Sequence, residues 1–459
     1  MTLILILALV ASLQSAIALQ RPFSLNDFGD NNLQSNLPIP SSGGKLRRYS
    51  HPGAVQSVLD VAVSHDLDIW QLSSSYVDVY FPPHRELPEE LKDVNCTVSE
   101  IPPDLDLRTT SGNLAPWNLS TVGPANNTFH SNYHPLHEID QFMNEISVAF
   151  PETVEVFELG HTAQGREMLG IKISKVSDDN SRRKKPRKKS KFVKGGGVGK
   201  PGFVIMGAQH AREWVATSTS MFLAHSLVTS LESLLDNFDF YVIPSPNPDG
   251  YAYTWESDRY WYKNRQIMGP NAKCVGLDMG RNWGYKWKSR ATDGGDNLGF
   301  KAKEPQVPVD PCSHWYPGHR AFESPEVNNI ANFITTLPNL RVFLDLRAYG
   351  QMLSAPYSYS CEAYPRDAED QMEAATGAGQ AMAQLYGTKV RVGTLCEQLY
   401  QAPGNVVDWM YKKAGIKYTY AVHLRDTGTY GFSLPPEWIR PVGEETVRMV
   451  QYFAKFVRV

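Results

Sequence analysis

The spacing of apolar positions changes along the chain, and each change marks an element. Ala54-Val-Gln-Ser-Val-Leu-Asp-Val-Ala carries apolar residues at helical spacing, and Tyr76-Val-Asp-Val-Tyr-Phe alternates as a strand does. Gly202-Phe-Val-Ile-Met-Gly-Ala and Phe238-Asp-Phe-Tyr-Val-Ile-Pro are apolar runs of strand length. Leu136–Ile146, Ser220–Val228 and Gln380–Tyr386 read as helices. Val342-Phe-Leu-Asp-Leu is the end of a buried strand, and Arg347 follows where the strand gives way to a loop. From about residue 130 onward strands and helices alternate. That alternation predicts an α/β domain, with helices covering a mostly parallel or mixed sheet.

Composition divides the chain further. Residues 1–19 are almost wholly apolar and end at Ala16-Ile-Ala18, the pattern of a secretory signal peptide. Residues 20–50, rich in Ser, Asn, Pro and Gly, read as a flexible leader ending in Lys45-Leu-Arg47-Arg48, either a processing site or a solvated turn. A small folded unit is expected over 51–118 and a large domain over 119–459, with the stretch from about 100 to 128 as linker. Within 178–200, Arg182–Lys191 holds eight basic residues and predicts a disordered surface loop, a site for proteolysis or polyanion contact. The 459 residues carry a net charge of -3, which excludes global attraction to nucleic acid or anionic membranes. No later stretch is apolar for long enough to span a bilayer. Secretion, to the cell exterior or a vacuole, predicts bridges among the five cysteines with one thiol left over. Asn95, Asn118 and Asn126 begin N-glycosylation acceptors.

The strongest chemical signal is Gln209-His210-Ala-Arg212-Glu213-Trp, which lies between a strand and a helix. A His and a Glu three apart can point the same way at such a junction. Zn²⁺ takes imidazole nitrogen and carboxylate oxygen, and a catalytic site needs a third protein ligand plus water. The pair alone is common by chance and reads equally as two polar residues at a strand end.

Six ordered segments raise its meaning: HAREW at 210–214, NPDGYAYT at 247–254, RYWYKNR at 259–265, CVGLDMGRNW at 274–283, YQAPGNVVDW at 400–409 and HLRDTGTYGF at 423–432. Together they make the chain from about 130 to 459 resemble the zinc carboxypeptidases of the pancreatic A/B family. The resemblance implies a mixed eight-stranded sheet flanked by helices, preceded by a small α/β pro-domain. It implies that His210 and Glu213 match the first two zinc ligands, and Asp278 the carboxylate that orients His210. Arg281 matches the arginine that grips a peptide's terminal carboxylate, and Tyr400 the tyrosine that caps it. Arg212 and Tyr349 match outer substrate contacts, and Phe432 the site wall. Val407 matches the base of the specificity pocket, where a small apolar residue favours apolar side chains. Cys274–Cys312 matches the family's common disulfide and Cys361–Cys396 a second bridge of some members, leaving Cys96 free.

The departures from the family pattern decide the expected function. The third zinc ligand, a histidine, is Arg347, whose guanidinium has no lone pair to give and stays protonated. It also repels the ion: a unit pair at ~4 Å is worth about 4 kcal/mol at an effective dielectric of about 20, and a dication roughly doubles that. The glutamate base is His423 and the oxyanion-stabilising arginine is Tyr262. Losing a base costs about 10²–10⁴ in rate, and losing one oxyanion donor about 10²–10³. The asparagine beside Arg281 is Gly280, and the serine after the third ligand is Ala348. The HLRDTG form points to a fungal branch of secreted, carboxypeptidase-like proteins regarded as inactive and linked to cell-wall organisation. The expected protein is therefore a monomeric pseudoenzyme whose family implies zinc while Arg347 opposes it. Its expected partners are peptide or protein C-termini, or cell-wall components, and not nucleic acid. Two alternatives stand beside it: an active zinc enzyme with His423 as replacement ligand, and a module that binds polyanions or wall polymers. Arg347 is expected to pair with Glu213 and supply the charge the metal would have given.

Overall fold

The computed structural model describes residues 43–51, 53–103, 117, 119, 122–175, 199–270, 272–287 and 310–458. The expected signal peptide, most of the leader, Asn118 and the basic run 182–191 lie outside the described residues. The strands described are β1 (Gly44–Tyr49), β2 (Asp68–Leu72), β3 (Val77–Phe81), β4 (Thr97–Ile101), β5 (Val154–His161), β6 (Glu167–Ile173), β7 (Gly202–Met206), β8 (Asp239–Ile243), β9 (Leu340–Arg347), β10 (Met352–Ala355), β11 (Arg391–Thr394) and β12 (Tyr418–His423).

β5 to β12 form a mixed eight-stranded sheet among the described residues, in the order β11-β10-β12-β9-β7-β8-β6-β5. Its centre is parallel: β9 pairs with both β7 and β12, and β7 with β8. Every residue of β7 is buried, as a continuous apolar run at the middle of a covered sheet requires. The helix Trp214–Leu227 is buried along its whole length. Its polar first half, Thr217–Ser220, hides the helix from an apolar-period reading that begins only at Ser220. The hydroxyls of Ser218, Ser220 and Ser226 are satisfied by carbonyls one turn back, at 3.1, 2.6 and 2.8 Å. The C-terminal helix Ile439–Phe456 packs against it and against Ala368–Tyr386. Cys274–Cys312 and Cys361–Cys396 are bridged, and Cys96 is free.

The N-terminal unit is a four-stranded antiparallel sheet, β2-β3-β1-β4, with the helix Val55–Ser64. This corrects the leader boundary at 50, because Gly44–Tyr49 is an inner strand. The dibasic pair lies within that strand and is not an exposed processing turn. Arg48 closes a two-point fork on Asp78 of β3, with Nε and Nη2 each 2.6 Å from a carboxylate oxygen. The linker expectation also narrows. Thr97–Ile101 is β4, while Trp117, Leu119 and Phe129 are buried in the body. The Asn127 side chain donates to the Trp117 carbonyl. Asn95 and Asn126 are exposed.

One buried cluster spans both units: Leu46, Trp70, Tyr80 and Ile101 share it with Tyr349 and Phe432. Trp70 stacks on Tyr80 at 4.7 Å and meets Tyr260 and Phe432 at 4.9 and 5.0 Å. A Cβ at Gly431, which has φ +59°, would lie 2.6 Å from the Trp70 ring, so the loop carrying Phe432 lies flat on it. Burial of a tryptophan at such a seam is worth about 3–5 kcal/mol on truncation. Trp70→Ala is expected to lower unfolding free energy by about that amount in urea titration. An unchanged midpoint would show that the two units do not share a core.

Candidate active site

The ends of β7, β9 and β12 bring the candidate residues together. These are the carboxyl ends of neighbouring parallel strands, where open α/β sheets carry their sites. The loop after β7 delivers His210 and Glu213, both about 3% exposed. His210 Nδ1 lies 3.0 Å from Glu213 Oε1, and Nε2 lies 2.9 Å from Asp278 Oδ1. Asp278 caps the turn Met279–Arg281: its Oδ1 accepts from Gly280 N at 2.8 Å and its Oδ2 from Arg281 Nε at 3.1 Å.

Arg347 closes β9 with its side chain inside the site, 7% exposed. Its Nε donates to Asp345 Oδ2 at 2.7 Å. This corrects the expected pairing with Glu213. Residues two apart on a strand share a face, so Asp345 is the nearer carboxylate. Asp345 Oδ1 accepts from Gln209 at 3.0 Å, and Gln209 accepts from Trp283 at 3.1 Å. Arg347 Nη1 lies 3.3 Å from His210 Nδ1, the same ring nitrogen that faces Glu213. Arg347 Nη2 and Glu213 Oε2 are buried with no hydrogen-bond partner among the described residues.

The charges compensate one another. Burial pushes the His210 imidazole down and Arg347 adds to this, but the Glu213 and Asp278 carboxylates outweigh both and hold it above its ordinary value. A protonated ring donates from Nδ1 to Glu213 and from Nε2 to Asp278, leaving the Arg347 contact as simple proximity. Burial also raises the Asp278 carboxyl, yet His210, Arg281 and Arg347 bring it below the usual range. Asp345 stays above it, since burial exceeds the pull of Arg347 and Gln209. Arg347, Arg281 and His210 thus face Asp345, Asp278 and Glu213, an arrangement that meets the need of buried ions for partners.

Tyr262 stacks on the His210 ring, with centroids 3.9 Å apart. Burial, then the nearby Asp278 charge, lifts its phenol well above the ordinary range, so it is a neutral side chain and no cationic oxyanion donor. His423 is the cross-strand neighbour of Arg347 on the same face. Burial, with Arg347 and His210 adding repulsion, pushes its imidazole well below the usual value, and its Nδ1 has no partner among the described residues. The proposed replacement set of His210, Glu213 and His423 is not assembled: no three His, Cys, Asp or Glu side chains among the described residues form a group that could hold a metal. The donors do not fit zinc. The guanidinium at the third-ligand position lies beside the ring nitrogen that faces Glu213 and brings a fixed positive charge in place of a lone pair.

The remaining residues divide by depth. Arg281 Nη2 donates to the Tyr400 hydroxyl at 2.7 Å, and Val407 is fully buried in an apolar cluster. Ala348 is buried. The outer positions are covered by the N-terminal unit. Arg212 Nη1 donates to both Asp68 oxygens at 2.9 and 3.0 Å, and its Nη2 to the Ile69 carbonyl at 3.2 Å. Burial opposes ionisation of Asp68, but Arg212 and then His314 hold its carboxyl well below the usual range. Tyr349 donates to Asp78 at 2.5 Å, and its carbonyl accepts from Gln71 at 2.8 Å. Arg212 also lies over the Phe432 ring at 4.4 Å. Asp68, Gln71, Asp78 and Asp345 complete the site beyond the residues that the motifs of the large domain name, and the period-two relation of Asp345 to Arg347 is the local signal that points to that pair.

With this geometry in view, comparison with known proteins places the chain. Residues 139–449 match the family model for zinc carboxypeptidase, Peptidase_M14. The chain is similar to the inactive metallocarboxypeptidase ecm14 of Sclerotinia sclerotiorum, at 31% identity over 93% of this chain and 74% of the relative. It is similar to carboxypeptidase A4 of Mus musculus, at 34% identity over 83% of this chain and 84% of that one. In structure it resembles thrombin-activatable fibrinolysis inhibitor, with a TM-score of 0.73 and 25% identity over 91% of this chain and 99% of the other. The fold, the pattern of His210, Glu213 and Asp278, and these matches agree: the chain belongs to the zinc carboxypeptidase family.

Proposed function

We propose that the protein is a secreted, non-catalytic carboxypeptidase-like protein that keeps the family's pocket for peptide C-termini. The observation that carries this reading is Arg347 at the third-ligand position, 3.3 Å from His210 Nδ1. Peptide hydrolysis in such a site needs a polarised water, a base and a donor for the tetrahedral oxyanion. Arg347 cannot ligate, His423 is buried beside Arg347 and His210, which push its imidazole down, and Tyr262 is stacked on His210. The names of fungal relatives at 31–32% identity, inactive metallocarboxypeptidases, support the same reading. A role in cell-wall organisation, in the extracellular space or a vacuole, belongs to this proposal.

The pocket reading rests on Arg281. Asp278 holds its Nε, while its Nη2 is met by the Tyr400 hydroxyl, a neutral partner that a peptide carboxylate would replace. Tyr400 and Trp315 pack against the core of the N-terminal unit, so binding requires that unit to move aside. Wall polymers are the second partner class, carried by the basic run 182–191 as read from sequence.

Purified protein, intact or cleaved between its two units, is expected to release no C-terminal residue from apolar or basic peptides by mass spectrometry. Steady release that a chelator abolishes would refute the proposal. The cleaved protein is expected to bind a peptide with a free C-terminus, and Arg281→Ala to weaken that binding by about tenfold or more. Equal affinity for the amidated peptide would exclude a carboxylate pocket.

A further inference from the structure

The substitutions at 280, 262 and 347 touch a single ring. The position a Cβ at Gly280 would take lies 2.9 Å from His210 Nε2, 3.1 Å from Asp278 Oδ1 and 3.2 Å from Arg347 Nη2. All three neighbours are buried. The glycine does not adopt a positive φ, so conformational freedom does not explain it. What the position supplies is room. Tyr262 stacks on the same ring at 3.9 Å and 21°. Neighbouring cations need such a cover, because an aromatic face attracts positive charge and keeps water out.

We infer that Gly280, Tyr262 and Arg347 form one coupled lock that holds the guanidinium in the metal's place and leaves the fold independent of zinc. Arg347 is tethered by Asp345, which Gln209 and Trp283 position in turn. Its Nη1 faces the nitrogen of His210 that faces Glu213. Its Nη2 uses the space that a side chain at 280 would fill. Glu213 keeps one oxygen on His210 and acts on the guanidinium through space. The lock therefore uses the charge of Glu213 and the space beside His210, while a guanidinium stands where a metal would need its third ligand. Gly280 and Tyr262 are positioning residues in it, acting through His210 and Arg347. This goes beyond the non-catalytic reading: detection of hydrolysis would defeat that reading, while detection of bound metal or independent substitutions would defeat this one.

The test is a thermal-unfolding cycle on the full chain, with zinc and with a chelator. Wild-type protein is expected to show the same Tm in both and less than 0.1 equivalent of zinc, on the order expected for a site lacking its third ligand. Arg347→His is expected to bind about one equivalent of zinc and to gain several degrees of Tm with it. Gly280→Ala is expected to lower Tm in the wild-type background and to cost clearly less in Arg347→His. Stoichiometric zinc in the wild type overturns the inference. So does an equal loss from Gly280→Ala in both backgrounds, because the glycine then serves only the His210–Asp278 pair. If Arg347→His does not fold, Arg347→Gln replaces it in the cycle, and the wild-type zinc content alone remains decisive against the lock.

Discussion

A buried guanidinium must be neutralised where it sits, and the centre of this protein is organised around that requirement. Arg347 is fixed at the end of β9 by Asp345, the acid two residues before it on the same strand face. Asp345 is in turn hydrogen-bonded to Gln209, next to His210, so the strand and the loop after β7 are tied through one carboxylate. His210 then carries the network outward to Glu213 on one side and Asp278 on the other. Breaking any one pair leaves an uncompensated buried charge, which costs about 3–5 kcal/mol. In a metal site the ion supplies the central charge and the protein supplies anions and lone pairs. Here the chain supplies both signs itself.

The same economy governs the outer site. Asp68 of the N-terminal unit meets the cationic Arg212, Asp78 meets the phenol of Tyr349 and Gln71 its carbonyl, and Trp70 fills the space between Tyr260 and Phe432. The carboxyl of Asp68 is held low by Arg212, so this ion pair contributes above the ordinary carboxylate range and is lost only as pH falls well below it. Arg212 and Tyr349 thus have their polar groups satisfied within the chain. The inner residues, Arg281 and Tyr400, spend their hydrogen bond on each other, although the Tyr400 ring also packs against the N-terminal unit; the pocket proposal rests on this pair.

Much of this was legible from local pattern. Apolar runs marked β7 and β8, and helical spacing marked Val55–Ser64 and Leu136–Ala149. Six motif segments fixed the order of the site residues. What was not legible depends on distant partners. GKLRRY reads as a charged leader because its inner-strand character rests on Asp78, thirty residues away across the sheet. VDVYF alternates as though one face met solvent, yet all five residues are buried, since Asp78 joins Arg48 to Tyr349. The stacking of Tyr262 on His210 has no signal in sequence spacing. The ligand-pair motif suggests Glu213 as the partner of Arg347, whereas strand periodicity favours Asp345, which the guanidinium meets.

Anomalous diffraction at the zinc absorption edge, from crystals of the full chain grown with zinc in excess, tests whether a guanidinium stands in the metal's place. No anomalous peak is expected between His210 and Glu213, with the Arg347 guanidinium beside His210 Nδ1 and its Nε on Asp345. A peak coordinated by His210 and Glu213, with Arg347 turned away, would contradict it.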